Sequence, residues 1–132
     1  MFDDVSINGN KLSKFENITQ RKAIFDTGSS TIMTSETLGF YNFINGSYQD
    51  DDGIYHVPCD IKDQVTLIFG GISFKMDPLD LISAYDDHDC ISAVQFENFS
   101  DNTQWLIGYP FLKNVYSVYN IKDYTIGLAP LS

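Results

Sequence analysis

The chain has 132 residues, of which 43% are hydrophobic and 14% aromatic, so it can bury the core of one globular domain. Its 18 acidic and 8 basic side chains give a formal net charge of -10, which makes nucleic acid and anionic membranes unfavourable partners. No run reaches the roughly 20 apolar residues that a membrane-spanning helix requires, and the acidic N-terminus lacks the apolar segment of a signal peptide.

Strands dominate the predicted elements. Apolar runs bounded by turn residues predict, in chain order, strands at residues 5–7, 12–15, 22–25, 31–33, 54–57, 65–69, 72–76, 90–96, 105–107, 115–121 and 124–128. The first pair forms a hairpin around Asn8-Gly9-Asn10, Gly70-Gly71 supplies another turn, and the last pair closes the chain as a hairpin. The pattern predicts one mostly-β domain, with no internal repeat and no linker.

Short helices are predicted at three places. Residues 34–43 are expected to begin a helix with Thr34 or Ser35 as the N-cap. Residues 78–82 and 110–113 each predict about one helical turn.

Two acidic stretches, residues 45–53 and 85–89, predict solvated loops. The second stretch, YDDHD, resembles a set of metal ligands, but adjacent acids in a loop more often face solvent, and we expect no metal. Cys59 and Cys90 are too far apart in sequence for a zinc site. Their even number indicates one disulfide, with two buried free thiols as the alternative.

Three sequons, at Asn17, Asn45 and Asn98, are candidate glycan acceptors. A single sequon often arises by chance. Three of them together with a cysteine pair favour an oxidising compartment.

The sharpest local motif is DTGSS at residues 26–30, which is flanked on both sides by apolar runs. Gly28 permits a tight turn and the close approach of another backbone. The hydroxyls of Thr27 and Ser29 can donate to a neighbouring carboxylate, and Ser30 can reach the same acid or a substrate amide. Because Asp-x-Gly is also ordinary turn chemistry, the motif gains its specificity from the apolar flanks.

Five sequence blocks occur in a fixed order along the chain. They are AIFDTGSS (23–30), VPC (57–59), CISAVQ (90–95), WLIGYPFL (105–112) and VYNIKDYTIGLAP (118–130). In this order the blocks resemble the C-terminal lobe of the pepsin family of aspartic proteases, most nearly its secreted or vacuolar fungal members. The resemblance implies that residues 1–132 form a single domain, a mostly-β, barrel-like or sandwich-like lobe with short helices.

The resemblance also implies an aspartic endopeptidase that needs no metal or other cofactor. It assigns Asp26 as one of two catalytic aspartates that activate water, in a shielded cleft. It assigns Thr27 to bracing this dyad. The backbone and hydroxyls of Gly28, Ser29 and Ser30 are expected to face the substrate.

Further residues take expected roles from the same resemblance. Ile24, Phe96 and Leu106 fall where the family lines its pockets for the primed side of the substrate. Cys59 and Cys90 match the disulfide of the C-terminal lobe. These assignments rest on the family resemblance alone.

A single D-T-G in the chain supplies half of a dyad. The resemblance therefore implies that an N-terminal lobe outside this chain is its partner and provides the second aspartate, with a peptide or protein as substrate. Two alternatives stay open, a homodimer like the retroviral proteases and a non-catalytic pepsin-fold binding or inhibitor protein. The isolated lobe is expected to be inactive, and the whole protein to be secreted or to lie in a vacuolar or lysosome-like lumen. The chain departs from the family at Tyr109 and Asn120, where an acid is usual.

Overall fold

The computed structural model describes residues 2–14, 18, 20–85, 89–120 and 125–130. Within these ranges the chain forms four β-sheets with short helices, which confirms the mostly-β prediction. The strands are β1 (Phe2–Ile7), β2 (Asn10–Lys11), β3 (Lys22–Phe25), β4 (Ile32–Thr34), β5 (Tyr48–Gln49), β6 (Tyr55–Val57), β7 (Val65–Phe69), β8 (Ile72–Lys75), β9 (Ile82–Tyr85), β10 (Cys90–Ser92), β11 (Val94–Phe96), β12 (Gln104–Ile107), β13 (Val115–Asn120) and β14 (Thr125–Pro130). The helices are α1 (Thr37–Asn42), α2 (Tyr109–Leu112) and the 3-10 turns Leu12–Lys14 and Pro78–Leu81. None of the described helices is long and apolar enough to cross a lipid bilayer.

The sheet that positions the DTGSS motif has the strand order β11-β4-β12-β3. Strand β12 lies between β3 and β4, parallel to the first and antiparallel to the second. Because β3 and β4 follow each other in sequence but are separated in the sheet, residues 26–31 must cross the end of β12. We call residues 26–31 the crossing loop. The other sheets have the orders β2-β1-β7-β8, β5-β6-β10-β9 and β13-β14.

The sheet β11-β4-β12-β3, which we call the central sheet, contributes one of its faces to the core. Trp105 and Ile107 on β12 are at most 1% exposed, while Leu106 between them points to the other face and is partly exposed. The Trp105 ring meets Phe2 and Phe40 edge-on, at centroid distances of 5.7 and 6.5 Å. The indole therefore packs the central sheet against β1 and α1.

A buried ion pair joins the start of β3 to the start of α1. The Arg21 side chain is inaccessible to solvent, and its Nε and Nη2 atoms each donate to one carboxylate oxygen of Glu36 at 2.8 Å. The indole Nε1 of Trp105 donates to the same carboxylate at 2.5 Å, and Asp4 lies 3.4 Å from the guanidinium. Each buried charge thus keeps a partner, which is the condition for taking it out of water.

The N-terminal end of α1 differs from the prediction. Thr34 belongs to β4, and Glu36 is the N-cap residue without a side-chain bond to the helix. The Glu36 carboxylate accepts hydrogen bonds from Arg21 and Trp105, so it does not accept one from a backbone N–H of the helix. The hydroxyl of Thr34 accepts the backbone N–H of Glu36 just before the helix. The prediction of Thr34 or Ser35 as the cap is therefore wrong.

Several strand predictions also change at the sheet edges. The return limb of the first hairpin is β2 alone, because Leu12 turns into the core within a 3-10 turn. Residues 90–96 divide into β10 and β11, which belong to different sheets. Strands β5 and β9 were not predicted; both are edge strands with mostly exposed side chains, so they lack a buried pattern. Residues 15, 121 and 124 of the predicted hairpins lie outside the described residues.

We expect Glu36→Gln to lower the free energy of unfolding by about 3 kcal/mol, because it removes the carboxylate that accepts from both Nε and Nη2 of Arg21 and leaves Asp4, 3.4 Å away, to balance the buried guanidinium. Urea denaturation followed by circular dichroism measures the change. Lys22→Gln is the control, since Lys22 forms an exposed pair with Asp101 at 2.9 Å. Removing an exposed pair costs at most about 1 kcal/mol. Equal losses in the two variants would contradict the importance of the buried pair.

Candidate active site

Asp26 follows β3 directly and begins the crossing loop. Its backbone N–H donates to the carbonyl of Ile107 at 2.9 Å, which ties the end of β3 to the end of β12. Its Oδ1 atom accepts the backbone N–H of Gly28 at 2.9 Å, a turn bond that orients the carboxylate. The side chain is exposed, so the described residues do not by themselves form the shielded cleft that the resemblance implies.

Gly108 provides the surface on which the crossing loop lies. A methyl group at this position would fall 2.3 Å from the carbonyl oxygen of Thr31 and 2.5 Å from that of Ser29. The next residue, Tyr109, donates its backbone N–H to the Ser29 carbonyl at 2.8 Å. The loop backbone therefore rests directly on the chain that leaves β12, and only glycine leaves room for it.

The hydroxyl groups of the loop take other partners than expected. The Ser29 hydroxyl donates to the Thr31 carbonyl at 3.2 Å, so it stabilises the loop itself and does not contact the Asp26 carboxylate. Thr27 and Ser30 are exposed. Asp26, Thr27 and Ser30 are thus all accessible to solvent on the same loop.

Two of the three residues expected in primed-side pockets come together. Ile24 and Leu106 are register partners on β3 and β12, on the partly exposed face of the central sheet. On β4, Met33 pairs with Leu106, and the next residue, Thr34, pairs with Phe96. Because successive residues of a strand point to opposite faces, Phe96 belongs to the other face from Leu106. Phe96 lines a separate cavity with Ser35, Thr37, Leu38, Gln49 and Tyr55.

A cavity that the sequence did not indicate is lined in part by Phe25, the residue before the crossing loop. Its volume is about 220 Å³, and it is lined by Phe25, Phe69, Gly70, Ile72, Phe74, Ile126 and Leu128. Phe25 immediately precedes Asp26, while Ile72 and Ile126 are 57% and 40% exposed. In the sequence, the signal for exposed apolar surface was Ile72, which directly follows the Gly70-Gly71 turn. An apolar residue at the tip of a hairpin rarely reaches the core.

Other predicted sites are located as follows. Cys59 and Cys90 are joined by a disulfide. Asn45 and Asn98 are exposed, whereas Asn17 lies outside the described residues. Among the residues that the structure describes, no group of three or more His, Cys, Asp or Glu side chains is arranged to hold a metal ion.

Known proteins share this sequence pattern. A family model described as eukaryotic aspartyl protease matches residues 1–131. The chain belongs to the eukaryotic aspartyl protease family. Aspartic-type endopeptidase ctsD of Aspergillus fumigatus is 32% identical over 130 residues, which cover 96% of this chain and 27% of that protein. Chymosin of Bos taurus is 34% identical over 113 residues, which cover 82% of this chain and 29% of chymosin.

Major aspartyl peptidase 1 of Cryptococcus neoformans is 33% identical over 118 residues, which cover 80% of this chain and 24% of that protein. The chain therefore spans about a quarter to a third of the length of the curated aspartyl proteases that it matches. The residues matched to the eukaryotic aspartyl protease family include both the crossing loop and Gly108.

We expect Gly108→Ala to lower the free energy of unfolding by about 1–3 kcal/mol, because the new methyl group pushes the crossing loop away from β12. Thermal unfolding measures the loss, and backbone amide NMR shifts should change most at residues 26–31. Gly28→Ala is the matched control. Its methyl group would lie 3.3 Å from the Asp26 carboxylate oxygen, which a small shift of the side chain relieves. A loss for Gly28→Ala as large as that for Gly108→Ala would contradict this account.

Proposed function

We propose that this chain is the C-terminal lobe of a two-lobed aspartic-type endopeptidase and that Asp26 is one of its two catalytic aspartates. The observation that carries the proposal is the Asp26 carboxylate, held at the surface of a loop whose backbone is fixed on Gly108. Membership of the eukaryotic aspartyl protease family and the chain's share of its relatives' length support the same conclusion.

A second carboxylate is required by the chemistry. Two carboxyl groups at close range cannot both ionise, so their pKa values separate and the pair holds one proton; aspartic-protease dyads are a well-known example. The ionised member takes a proton from water while the water oxygen attacks the scissile carbonyl carbon. The protonated member donates to the carbonyl oxygen, and collapse of the tetrahedral intermediate returns a proton to the leaving amine. No covalent enzyme intermediate forms.

The other lobe has a suitable surface to meet. Ile126 and Ile72 are exposed at the cavity that Phe25 helps to line, and exposed apolar side chains of this kind are suited to a contact with another lobe. The N-terminal lobe is accordingly the proposed partner. Thr27 is proposed to brace the dyad from this lobe, since its exposed hydroxyl is open to a partner.

The substrate is proposed to be a peptide or protein. The exposed part of the loop at Gly28 and Ser30 offers backbone and hydroxyl groups to a peptide, with the half-buried Ser29 between them. Ile24 and Leu106 offer an adjacent apolar surface. The Cys59–Cys90 disulfide supports an oxidising location, which we propose to be the cell exterior or a vacuolar or lysosome-like lumen.

In the full-length protein, we expect Asp26→Asn to lower kcat for hydrolysis of a denatured protein by about three orders of magnitude, because the amide can neither share nor accept the proton. Assays between pH 3 and 7 would measure this, together with the binding of pepstatin, an inhibitor of aspartic proteases. Asp51→Asn, a change at an exposed carboxylate in a distant turn, is the control and should leave kcat unchanged. Full activity in Asp26→Asn would refute the proposed role.

The 132-residue chain by itself distinguishes the two-lobed enzyme from a homodimer. We expect the isolated chain to be inactive, because each molecule carries half of the dyad. Activity that rises with the square of the chain concentration, and that Asp26→Asn abolishes, would instead establish a homodimeric protease. A full-length protein that binds peptides without cleaving them would establish the non-catalytic alternative.

A further inference from the structure

His56 lies in the middle of the sheet β5-β6-β10-β9, away from the crossing loop. It pairs in register with Tyr48 on β5 and with Ile91 on β10, and its residue is 8% exposed. The imidazole stacks on the Tyr48 ring, with centroids 4.8 Å apart and an interplanar angle of 7°. The ring is therefore fixed in orientation by the strands around it.

Both nitrogen atoms of this ring face carboxylates. Nε2 lies 2.7 Å from Oδ2 of Asp50, in the turn after β5. Nδ1 lies 3.4 Å from Oδ1 of Asp89, in the residue before β10. The other oxygen of Asp89 accepts the hydroxyl of Tyr48. Nδ1 itself is buried and has no hydrogen-bond partner among the described residues.

The charge state of His56 decides whether this arrangement is favourable. A neutral imidazole carries one N–H donor, so in either tautomer one nitrogen would turn a lone pair toward a carboxylate. An imidazolium carries a donor on each nitrogen and can serve both acids. An Nδ1–H would point toward Asp89, and a small movement of that residue would complete the second hydrogen bond.

We propose that His56 is a pH-sensitive clamp, which in its protonated form ties the turn at residues 50–53 to the start of β10. Asp50 and Asp89 are the charged groups that face the ring from the neighbouring elements. Asp51 and Asp52 are exposed on the same turn, and Asp60 is exposed beyond β6. Asp86, Asp87 and His88 lie outside the described residues.

The nearby Cys59–Cys90 disulfide limits which segments can separate when the clamp opens. Cys90 pairs in register with Val57 and is bonded to Cys59, so β6 and β10 stay joined at any pH. The turn at residues 50–53 has no such covalent tie. Deprotonation of His56 leaves one donor for two carboxylates, so it should break the tie between this turn and the start of β10 and leave the centre of the sheet in place.

The clamp requires a charge on Asp50 as well as on His56. The hydrogen bond from His56 holds the pKa of the Asp50 carboxyl below its ordinary value, with further bonds from the backbone N–H groups of Ile54 and Asp52. The stabilisation from Asp50 is therefore present above about pH 4, the ordinary range of an aspartate, and is lost as the pH falls through the lowered value. The clamp also needs a proton on each ring nitrogen of His56, so it is complete only where Asp50 is ionised and His56 is protonated.

The test uses the 132-residue chain and does not depend on catalysis, so it can succeed or fail independently of the proposed protease function. Nitrogen-15 NMR of the histidine rings at pH 5 should show protons on both nitrogens of His56, with His88→Gln used to assign the second histidine. Urea unfolding then compares the equilibrium constant for unfolding at pH 5 and at pH 8. From pH 5 to pH 8 this constant should rise in the native chain by a factor about five times larger than in His56→Phe.

Paired carboxylate variants supply the control. Asp50→Asn should remove most of this excess pH dependence, whereas Asp51→Asn, in the same turn, should preserve it. Hydrogen exchange should also accelerate at residues 48–55 between pH 5 and pH 8, beyond the ordinary effect of hydroxide on amide exchange. A single protonated nitrogen on His56 at pH 5 would overturn the proposal even where a variant fails to fold. Equal pH dependence in the native chain and His56→Phe would also overturn it.

Discussion

The crossing of residues 26–31 over the end of β12 is the constraint on which the architecture of this lobe depends. Strand β12 occupies the place between β3 and β4, so the chain linking these two strands has to pass over it. The passage is close enough that a single methyl group at Gly108 would collide with two carbonyl oxygens. The same contact that permits the sheet therefore fixes the backbone next to Asp26.

The backbone around Asp26 is fixed, whereas the Asp26 carboxylate is exposed. The backbone of Asp26 is held by Ile107, and the loop beyond it by Tyr109, but the carboxylate itself remains open. A catalytic group needs a supporting structure that fixes its position, and also a second surface that removes water from around it. The described residues provide the first of these and do not by themselves enclose the carboxylate.

The acidic composition is distributed in two different ways. Most of the acids that the structure describes are exposed or partly exposed, and solvent screens their mutual repulsion. Glu36 and Asp4 are buried instead, and both face Arg21, so one inaccessible guanidinium serves acids from two parts of the chain. The Lys22–Asp101 pair, one residue from Arg21 in sequence, is exposed, and we expect its loss to cost much less free energy than the loss of the buried pair. Net charge alone therefore says little about which carboxylates stabilise the fold.

Sequence patterns predicted the elements that pack on the core and failed where a residue's partner is distant in the chain. The bounds of β3 and β7 agree with the prediction; side chains of β3 alternate between exposed and partly buried, and two side chains of β7 are fully buried. The predicted cap residue of α1 was wrong because the actual cap residue, Glu36, bonds through its carboxylate to Arg21, which lies 15 residues earlier in the chain. The family resemblance placed Asp26 at the loop, but it could not reveal that Phe96 lies on the alternate face from Leu106.

His56 shows the same limit most clearly. Within the sequence it is one polar residue in a short apolar strand, and nothing beside it marks two carboxylates as its neighbours. Only the pairing of β6 with β5 and β10 brings Asp50 and Asp89 to opposite sides of its ring. Titratable groups acquire their behaviour from such tertiary neighbours. The two carboxylates beside His56 therefore follow from the pairing of the strands and not from the residues next to it in sequence.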